Sequence, residues 1–125
     1  MKNSNLLISE FQKKKINYGD LQTISLHRHL DEVGCLKDCV DLILCDYTSS
    51  HNGKFFIKFI DVKDFRLGEI NMMVFIQISI SDISFRQMEN INYKVTEEEN
   101  ALFSFYCESF TFEEITEQDT DSMYQ

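Results

Sequence analysis

The residues best suited to chemistry in this 125-residue chain are two histidines and an aspartate at alternate positions. His27, His29 and Asp31 would project from the same face of a β-strand, because successive side chains of a strand alternate between its two faces. Two imidazole nitrogens and a carboxylate oxygen are a suitable ligand set for one divalent metal ion. In a helix, His27 and Asp31 would remain neighbours at i and i+4, whereas His29 would leave the group. A metal-binding protein or metal-dependent enzyme is therefore one hypothesis, and ordinary surface histidines are its alternative.

The four cysteines supply a second set of candidate residues. Cys35 and Cys39 have a C-x3-C spacing, but a structural zinc site needs two such close pairs, and Cys45 and Cys107 do not form the second. A catalytic thiol needs a nearby histidine as its base, and Cys35 is the one cysteine close in sequence to the two histidines. We predict that all four are reduced thiols.

Compact catalytic signatures are absent from the sequence. Its four glycines form neither a G-x-G-x-x-G motif nor a Walker phosphate loop, and no G-x-S-x-G nucleophile elbow occurs. Carboxylate pairs such as Asp41 with Asp46, or Asp61 with Asp64, arise easily in an acidic chain and indicate no particular reaction. The sequence leaves enzymatic activity open, favours a non-enzymatic protein and predicts no cofactor.

The elements that must position these side chains are predominantly strands. The clearest alternation runs through residues 72–85, where isoleucine and valine share one face and glutamine and serine the other. The same criterion predicts five strands, over residues 38–47, 54–62, 72–85, 91–96 and 101–112. We therefore predict a mainly β fold, an antiparallel meander of about five to seven strands that forms a sandwich or roll. A β-rich α+β fold is the alternative.

Several segments carry more specific predictions. Residues 4–15 are predicted to form a short N-terminal helix. Residues 21–33 fit either a helix or a strand, and the alternation through Leu26, Arg28 and Leu30 favours the strand. Residues 54–62 are apolar at both parities, which predicts a central strand buried on both sides.

Loops and irregularities follow from the same pattern. A hairpin loop is predicted at 48–53 and a charged connection at 63–71. Phase slips at 82–83 and 108–109 predict a bulge or bend in each strand. No linker divides the chain, so residues 1–115 are predicted to be a single β-rich domain, followed by an acidic, frayed tail at 116–125.

Charge is strongly segregated along the chain. Residues 97–125 contain nine acidic residues and no lysine or arginine, so they account for the whole formal net charge of −9. An acidic surface repels phosphate backbones and anionic membranes, which argues against binding to nucleic acid or membranes and favours basic protein partners. The alternative is that the acids only keep a phenylalanine-rich protein soluble. The candidate partner-binding residues are Glu97, Glu98, Glu99, Glu113 and Glu114.

The sequence also carries predictions about cellular location and oligomeric state. The apolar run at 6–8 is too short for the core of a signal peptide, and no apolar stretch of 18 residues occurs, so we predict a cytoplasmic protein. A β-rich fold can also expose an edge strand, and homo-oligomerisation through such a strand is a further possibility.

Residues 26–115 resemble small β-rich bacterial immunity proteins of polymorphic toxin systems. The resemblance lies in the segment His29–Val33, the strands VDLIL and FIKFIDV, the ISDIS element, and the closing pair Tyr93-x-Val95 and LFSFYCESFTFEE. It implies a protein that binds and neutralises a cognate toxin and has no catalytic activity of its own. Because many toxin domains are basic nucleases, the acidic segment would then cover a basic active site.

Overall fold

The computed structural model describes residues 4–46, 53–69 and 75–115, and within these ranges the chain forms one helix and eight strands. The predicted hairpin loop, except for Gly53, and the predicted tail at 116–125 lie outside the described residues. The elements are α1 (Ser4–Lys15), β1 (Asp20–Leu30), β2 (Leu36–Cys45), β3 (Lys54–Ile60), β4 (Lys63–Leu67), β5 (Ile78–Asp82), β6 (Tyr93–Glu97), β7 (Phe103–Cys107) and β8 (Ser109–Ile115).

The strands form two antiparallel sheets of four strands each. The strand order is β1-β2-β3-β8 in the first sheet and β4-β7-β6-β5 in the second. Strands β1 to β3 and β5 to β7 are meanders, whereas β4 and β8 each join the sheet that does not contain the preceding strand. The prediction of a mainly β, antiparallel fold with a short N-terminal helix is confirmed.

The core lies between the inner faces of the two sheets. In β3, buried Phe55, Ile57 and Phe59 alternate with half-buried side chains. The Phe59 ring meets Phe105 of β7 edge to face, with ring centroids 4.9 Å apart. Burying each such aromatic side chain contributes about 1.5–3 kcal/mol to folding. The phenylalanines of the two sheets therefore supply much of the adhesion between them.

The strand interpretation of residues 21–33 is correct, and β1 ends at Leu30 in a tight turn. The Asp31 carboxylate accepts hydrogen bonds from the backbone N–H groups of Val33 (3.0 Å) and Cys35 (2.8 Å). Gly34 has a φ of 85°, a left-handed conformation that glycine adopts without the strain a side chain would cause. This local hydrogen bonding ends the strand and returns the chain as β2.

Two predicted boundaries are wrong. Of the strand predicted at 72–85, the described residues 75–85 contain only the five-residue β5, because the backbone of Ile76 bonds outside any ladder, its N–H donating to the carbonyl of Gly19 (2.7 Å). Residues 72–74 lie outside the described part. The connection predicted at 63–71 contains β4, a charged edge strand with a register shift between Lys63 and Arg66 that hides its alternation.

Two further predictions need correction. Strand β3 is central in its sheet but is buried on one face only, because no described element covers the other face, where Phe56 and Lys58 are half-buried. The single strand predicted at 101–112 is two strands, β7 and β8, which belong to different sheets. The phase slip at 108–109 therefore marks the crossing between sheets, and it turns Phe105 and Phe110 into the same core.

The two long sides of the sandwich differ. On one side, which we name the closed side, α1 lies between the edge strands β5 and β8. Gln12 donates a hydrogen bond to the carbonyl of Ile78 in β5 (3.2 Å), and Phe11 packs against Phe110 and Phe112 of β8. On the other side, the open side, no described element lies between the edge strands β1 and β4.

Candidate functional site

The structure does not assemble a metal site from the two histidines and Asp31. His27 Nε2 lies 3.1 Å from the Oδ2 atom of Asp41 in the neighbouring strand, while His29 is exposed opposite Lys37. The described residues contain no group of three or more histidine, cysteine, aspartate or glutamate side chains that could hold a metal ion. The metal hypothesis therefore has no support in this part of the chain.

Asp31 has a structural role. Hydrogen bonds from the backbone N–H groups of Cys35 and Val33 lower its pKa from the ordinary value, and Lys37, whose Nζ lies 3.9 Å from Oδ2, acts in the same direction. Lys37 also contacts Glu108 at 3.2 Å. Asp31 thus fixes the β1–β2 turn.

The cysteines belong to no metal-binding group among the described residues either. All four are free thiols, with Cys35 exposed in the β1–β2 turn and Cys39, Cys45 and Cys107 buried. Burial raises the pKa of Cys107 to about 12, so this thiol stays protonated and behaves as a small apolar side chain. The prediction of reduced thiols agrees with this arrangement.

Glu97, the first of the candidate acids, is buried, with only 3 % of its surface exposed. Its carboxylate accepts hydrogen bonds from four backbone N–H groups. They belong to Gln77 (2.9 Å), Glu99 (2.9 Å), Asn100 (2.8 Å) and Leu102 (3.1 Å). Burial raises the pKa of Glu97, but the four amides together outweigh it and the net shift is downward. Glu97 therefore organises the β6–β7 turn and joins it to the segment before β5.

The other candidate acids are exposed at one end of the sandwich. Glu98 and Glu99 lie on the β6–β7 turn, and Glu113 and Glu114 lie near the end of β8. Glu69 follows β4 at the same end, because the neighbouring Gly68 donates its N–H to the carbonyl of Leu102 (2.6 Å). We name this group of five glutamates the acidic end.

Phe75 connects the β6–β7 turn to the residues that precede β1. Asn100 donates a side-chain hydrogen bond to the Phe75 carbonyl (3.1 Å), and the Phe75 ring lies against Gly19, where a Cβ atom would come within 2.7 Å of it. The adjacent Tyr18 donates a hydrogen bond to Glu114 Oε2 at 2.7 Å. Burial and this hydrogen bond raise the pKa of Tyr18 to about 12. Phe75 itself is 52 % exposed, and Lys15 Nζ lies 5.3 Å from the centroid of its ring.

A cleft of about 510 Å³ lies on the open side, lined by residues of β1, β2 and the segment that includes β4. Its apolar lining comes from Leu26, Val40, Val62 and Phe65. Leu26 belongs to the β1–β2 hairpin, which carries two further exposed leucines, and Leu26, Leu30 and Leu36 are 56 %, 60 % and 64 % exposed. Unpacked apolar side chains of this size in one hairpin are typical of a protein contact surface.

Sequence reasoning missed both Phe75 and the cleft. Phe75 lies in a stretch predicted to be a regular strand, and no pattern indicated its contact with Gly19. The alternation of Leu26 and Leu30 was the available signal for the hairpin, but it identified a strand without showing that its apolar face is uncovered. That fact depends on which side of the sandwich α1 occupies.

A model of the family described as Immunity protein PIM8 matches residues 3–113. This match covers most of the chain and confirms the resemblance inferred from residues 26–115. No curated protein and no solved structure matches the chain significantly. In the described part of the chain, α1 is too short and too polar to cross a membrane.

Proposed function

The chain belongs to the PIM8 family of immunity proteins, and from this premise we propose that it binds a cognate toxin and blocks it without catalysing a reaction itself. The observation that carries the proposed binding mode is the acidic end, where five exposed glutamates lie at the same end of the sandwich as a half-exposed phenylalanine. A basic toxin surface would match this charge.

Charge complementarity supports a specific mechanism. Opposite potentials raise the rate at which two proteins meet and orient them before contact, and their effect decreases as salt screens the charges. Phe75, at the same end of the sandwich, would then supply apolar contact area, because aromatic side chains often contribute most of the binding energy in protein interfaces. Bound in this way, the acidic end would cover a basic active site on the toxin.

The family assignment indicates that the partner is a toxin, and the acidic charge favours a toxin with a basic surface. A toxin met inside the cell that produces it would place this chain in the cytoplasm, and we include that location in the proposal. Glu97 has no direct part in it, because it is buried and its four described hydrogen bonds hold the β6–β7 turn and the segment before β5.

The test begins with the toxin gene expected beside the gene of this chain. Expression of that toxin domain in a bacterial host should stop growth, and co-expression of this chain should restore it. Absence of any rescue, together with no binding of the purified proteins, would refute the proposed function.

Charge reversal then tests the acidic end. The variant Glu98→Lys/Glu99→Lys should bind the toxin about tenfold or more weakly at low salt, mainly through slower association, and the difference should shrink as salt is added. The matched control, Glu10→Lys/Glu89→Lys, changes the net charge equally with exposed residues elsewhere. Equal affinities of the two double variants would show that the acidic end does not bind the toxin.

A further inference from the structure

Strand β1 leaves one of its edges unpaired in the described structure, since it is the last strand of its sheet. The hydrogen bonds of the β1–β2 hairpin show which backbone groups face that edge. Asp31 donates its N–H to the carbonyl of Cys35 at 2.9 Å, so this pair closes the hairpin as a hydrogen-bonded pair. Hydrogen-bonded and non-hydrogen-bonded pairs alternate along an antiparallel ladder. The backbone groups of His27 and His29 therefore point towards β2.

By the same alternation, the N–H and C=O groups of Leu26, Arg28 and Leu30 point away from β2. The carbonyl of Asp38, the partner of Arg28, independently supports this register, because it accepts a hydrogen bond from Val62 N–H (2.7 Å) on the side away from β1. The exposed edge of β1 thus carries a row of backbone donors and acceptors at alternate residues. The residues that carry these backbone groups, Leu26, Arg28 and Leu30, also direct their side chains to the open side.

The cleft lies directly beside this edge. A strand added to β1 would continue the first sheet, and every second side chain of that strand would point into the space between Leu26 and Phe65. On the closed side the equivalent space is filled by Phe11 of α1. The open side offers both parts of a strand-docking site, a backbone edge and an apolar cleft, and no described element uses them.

The charges of the cleft indicate what kind of strand fits. Arg28 Nε lies 2.9 Å from Asp38 Oδ1, and Lys63 Nζ lies 2.8 Å from Asp61 Oδ1. Asp64 is within 3.4 Å of Arg66. Because these charges are matched within the chain, the cleft has no excess charge with which to attract an ion, unlike the acidic end. An uncharged segment fits it.

A second copy of β1 fits the edge less well. Antiparallel self-pairing centred on Arg28 would oppose two guanidinium groups, which is destabilising. Centring it on His27 or Leu26 would place Arg28 opposite Leu26 or Ile24 of the other copy. A heterologous strand can instead present a small or polar residue at that position.

We infer that the toxin adds an extended, uncharged segment with apolar residues at alternate positions to the free edge of β1, and that its apolar side chains fill the open-side cleft. The inference rests on the proposed function, because it assumes that the partner is a toxin. It adds the β1 edge and the cleft as a second surface, beside the acidic end, that recognises the toxin. The acidic end would steer the toxin, and the β1 edge would hold it.

The sharpest test removes one outward-facing N–H. Arg28→Pro deletes that donor without breaking a bond to β2, and proline is tolerated at such edge positions. Arg28→Ala is the matched control, since it loses the same ion pair with Asp38 but keeps the N–H. With the toxin domain of the growth assay, inactivated by mutation, as the probe, Arg28→Pro should weaken binding about tenfold more than Arg28→Ala, chiefly through faster dissociation.

A second pair of variants keeps the test valid if proline disturbs the fold. Leu26→Glu places a carboxylate in the cleft, whereas Ser25→Glu adds the same charge one residue away, on the opposite face of β1. Leu26→Glu should weaken toxin binding about tenfold or more relative to Ser25→Glu. Circular dichroism of all four variants would establish that they are folded.

The outcomes separate this inference from the proposed function. Suppose that the wild-type protein binds the toxin, that Arg28→Pro binds it as tightly as Arg28→Ala, and that Leu26→Glu binds it as tightly as Ser25→Glu. The β1 edge is then not the docking site, although the chain still neutralises the toxin. Concentration-dependent dimers in sedimentation that Arg28→Pro abolishes would assign the edge to a second copy and likewise overturn the inference. A wild-type chain that binds no toxin would instead refute the proposed function.

Discussion

The two long sides of this sandwich differ in whether the apolar space between the sheets is covered. Each lies between two edge strands, and each gives access to the apolar space between the sheets. On the closed side, Phe11 fills that space, and Gln12 and Lys15 donate hydrogen bonds to the carbonyls of Ile78 (3.2 Å) and Ile76 (2.6 Å). On the open side, Leu26 remains 56 % exposed.

If the open side binds the toxin as inferred, this difference separates stability from recognition within one small fold. Side chains buried on the closed side contribute to the free energy of unfolding, whereas those on the open side already contact water in the free protein and lose little when they are changed. Unprotected edge strands promote unwanted association, and proteins commonly cover, shorten or charge them. Substitutions on the two sides should therefore have separable effects.

The largest effect is expected at Phe11, which is fully buried. Phe11→Ala should lower the free energy of unfolding by about 3–5 kcal/mol, because it removes the ring that packs on Phe55, Phe110 and Phe112 and leaves a cavity. Leu26→Ala on the open side should cost only about 0.5 kcal/mol. Urea unfolding measures both, and similar losses would show that the two sides do not differ.

Glu97→Gln should cost about 3 kcal/mol, because the amide replaces a buried carboxylate that accepts four backbone hydrogen bonds. Glu97 ties the backbone of Gln77, and so supports the segment that Lys15 holds on the closed side. The control Glu98→Gln, at an exposed position, should change stability by about 0.5 kcal/mol or less.

The same pair of variants carries a pH prediction. The pKa of Glu97 is lowered from 4.5 in the folded protein, so the folded state binds fewer protons than the unfolded state in this range. The stabilisation from Glu97 is therefore complete above pH 4.5 and is lost as the pH falls through the folded-state pKa. Acid titration of unfolding free energy should be flatter for Glu97→Gln than for the wild type. An unchanged slope would contradict the assigned role.

Gln12→Ala should cost about 1 kcal/mol, the usual contribution of one hydrogen bond, by freeing the Ile78 carbonyl at the edge of β5. Glu10→Ala, at an exposed position of the same helix, is the control and should be nearly neutral. Urea midpoints distinguish the two, and equal midpoints would show that α1 does not protect this edge.

The smallest effect is expected at the tip of the open side. Leu30→Ser and Leu36→Ser replace leucines that are opposite one another in β1 and β2 and exposed in the free protein. Each should change the free energy of unfolding by about 0.5 kcal/mol or less. A loss comparable to that of Phe11→Ala, measured by the same urea unfolding, would mean that the hairpin is packed rather than free.

Alternating side chains predicted much of this fold. The apolar run at 54–62 identified β3, although its apolar residues at both parities suggested two buried faces and the structure buries only that of Phe55, Ile57 and Phe59. Strand β4 was missed because its charged residues and register shift remove that signal. The end of β5 was misplaced because Ile76 continues the alternation, yet its N–H bonds to the carbonyl of Gly19, a contact between residues distant in sequence.

The candidate site was predictable only in part. Charge segregation identified Glu98, Glu99, Glu113 and Glu114 but not Glu69, because this signal is local in sequence. It could not separate buried Glu97 from exposed Glu98, since that distinction arises from four N–H groups that converge only after the turn forms. The metal hypothesis at His27, His29 and Asp31 failed for a related reason. Asp31 leaves the strand to bond the β1–β2 turn, which no spacing rule shows.

Amide hydrogen exchange of this protein, free and bound to the inactivated toxin domain, tests the central claim most directly. In the free protein, the N–H groups of Leu26 and Arg28 should exchange fast and those of His27 and His29 slowly. In the complex, Leu26 and Arg28 should become protected, while exchange in α1 should stay unchanged. Protection on binding that appears in α1 and leaves Leu26 and Arg28 unprotected would contradict the assignment of the open side to the toxin.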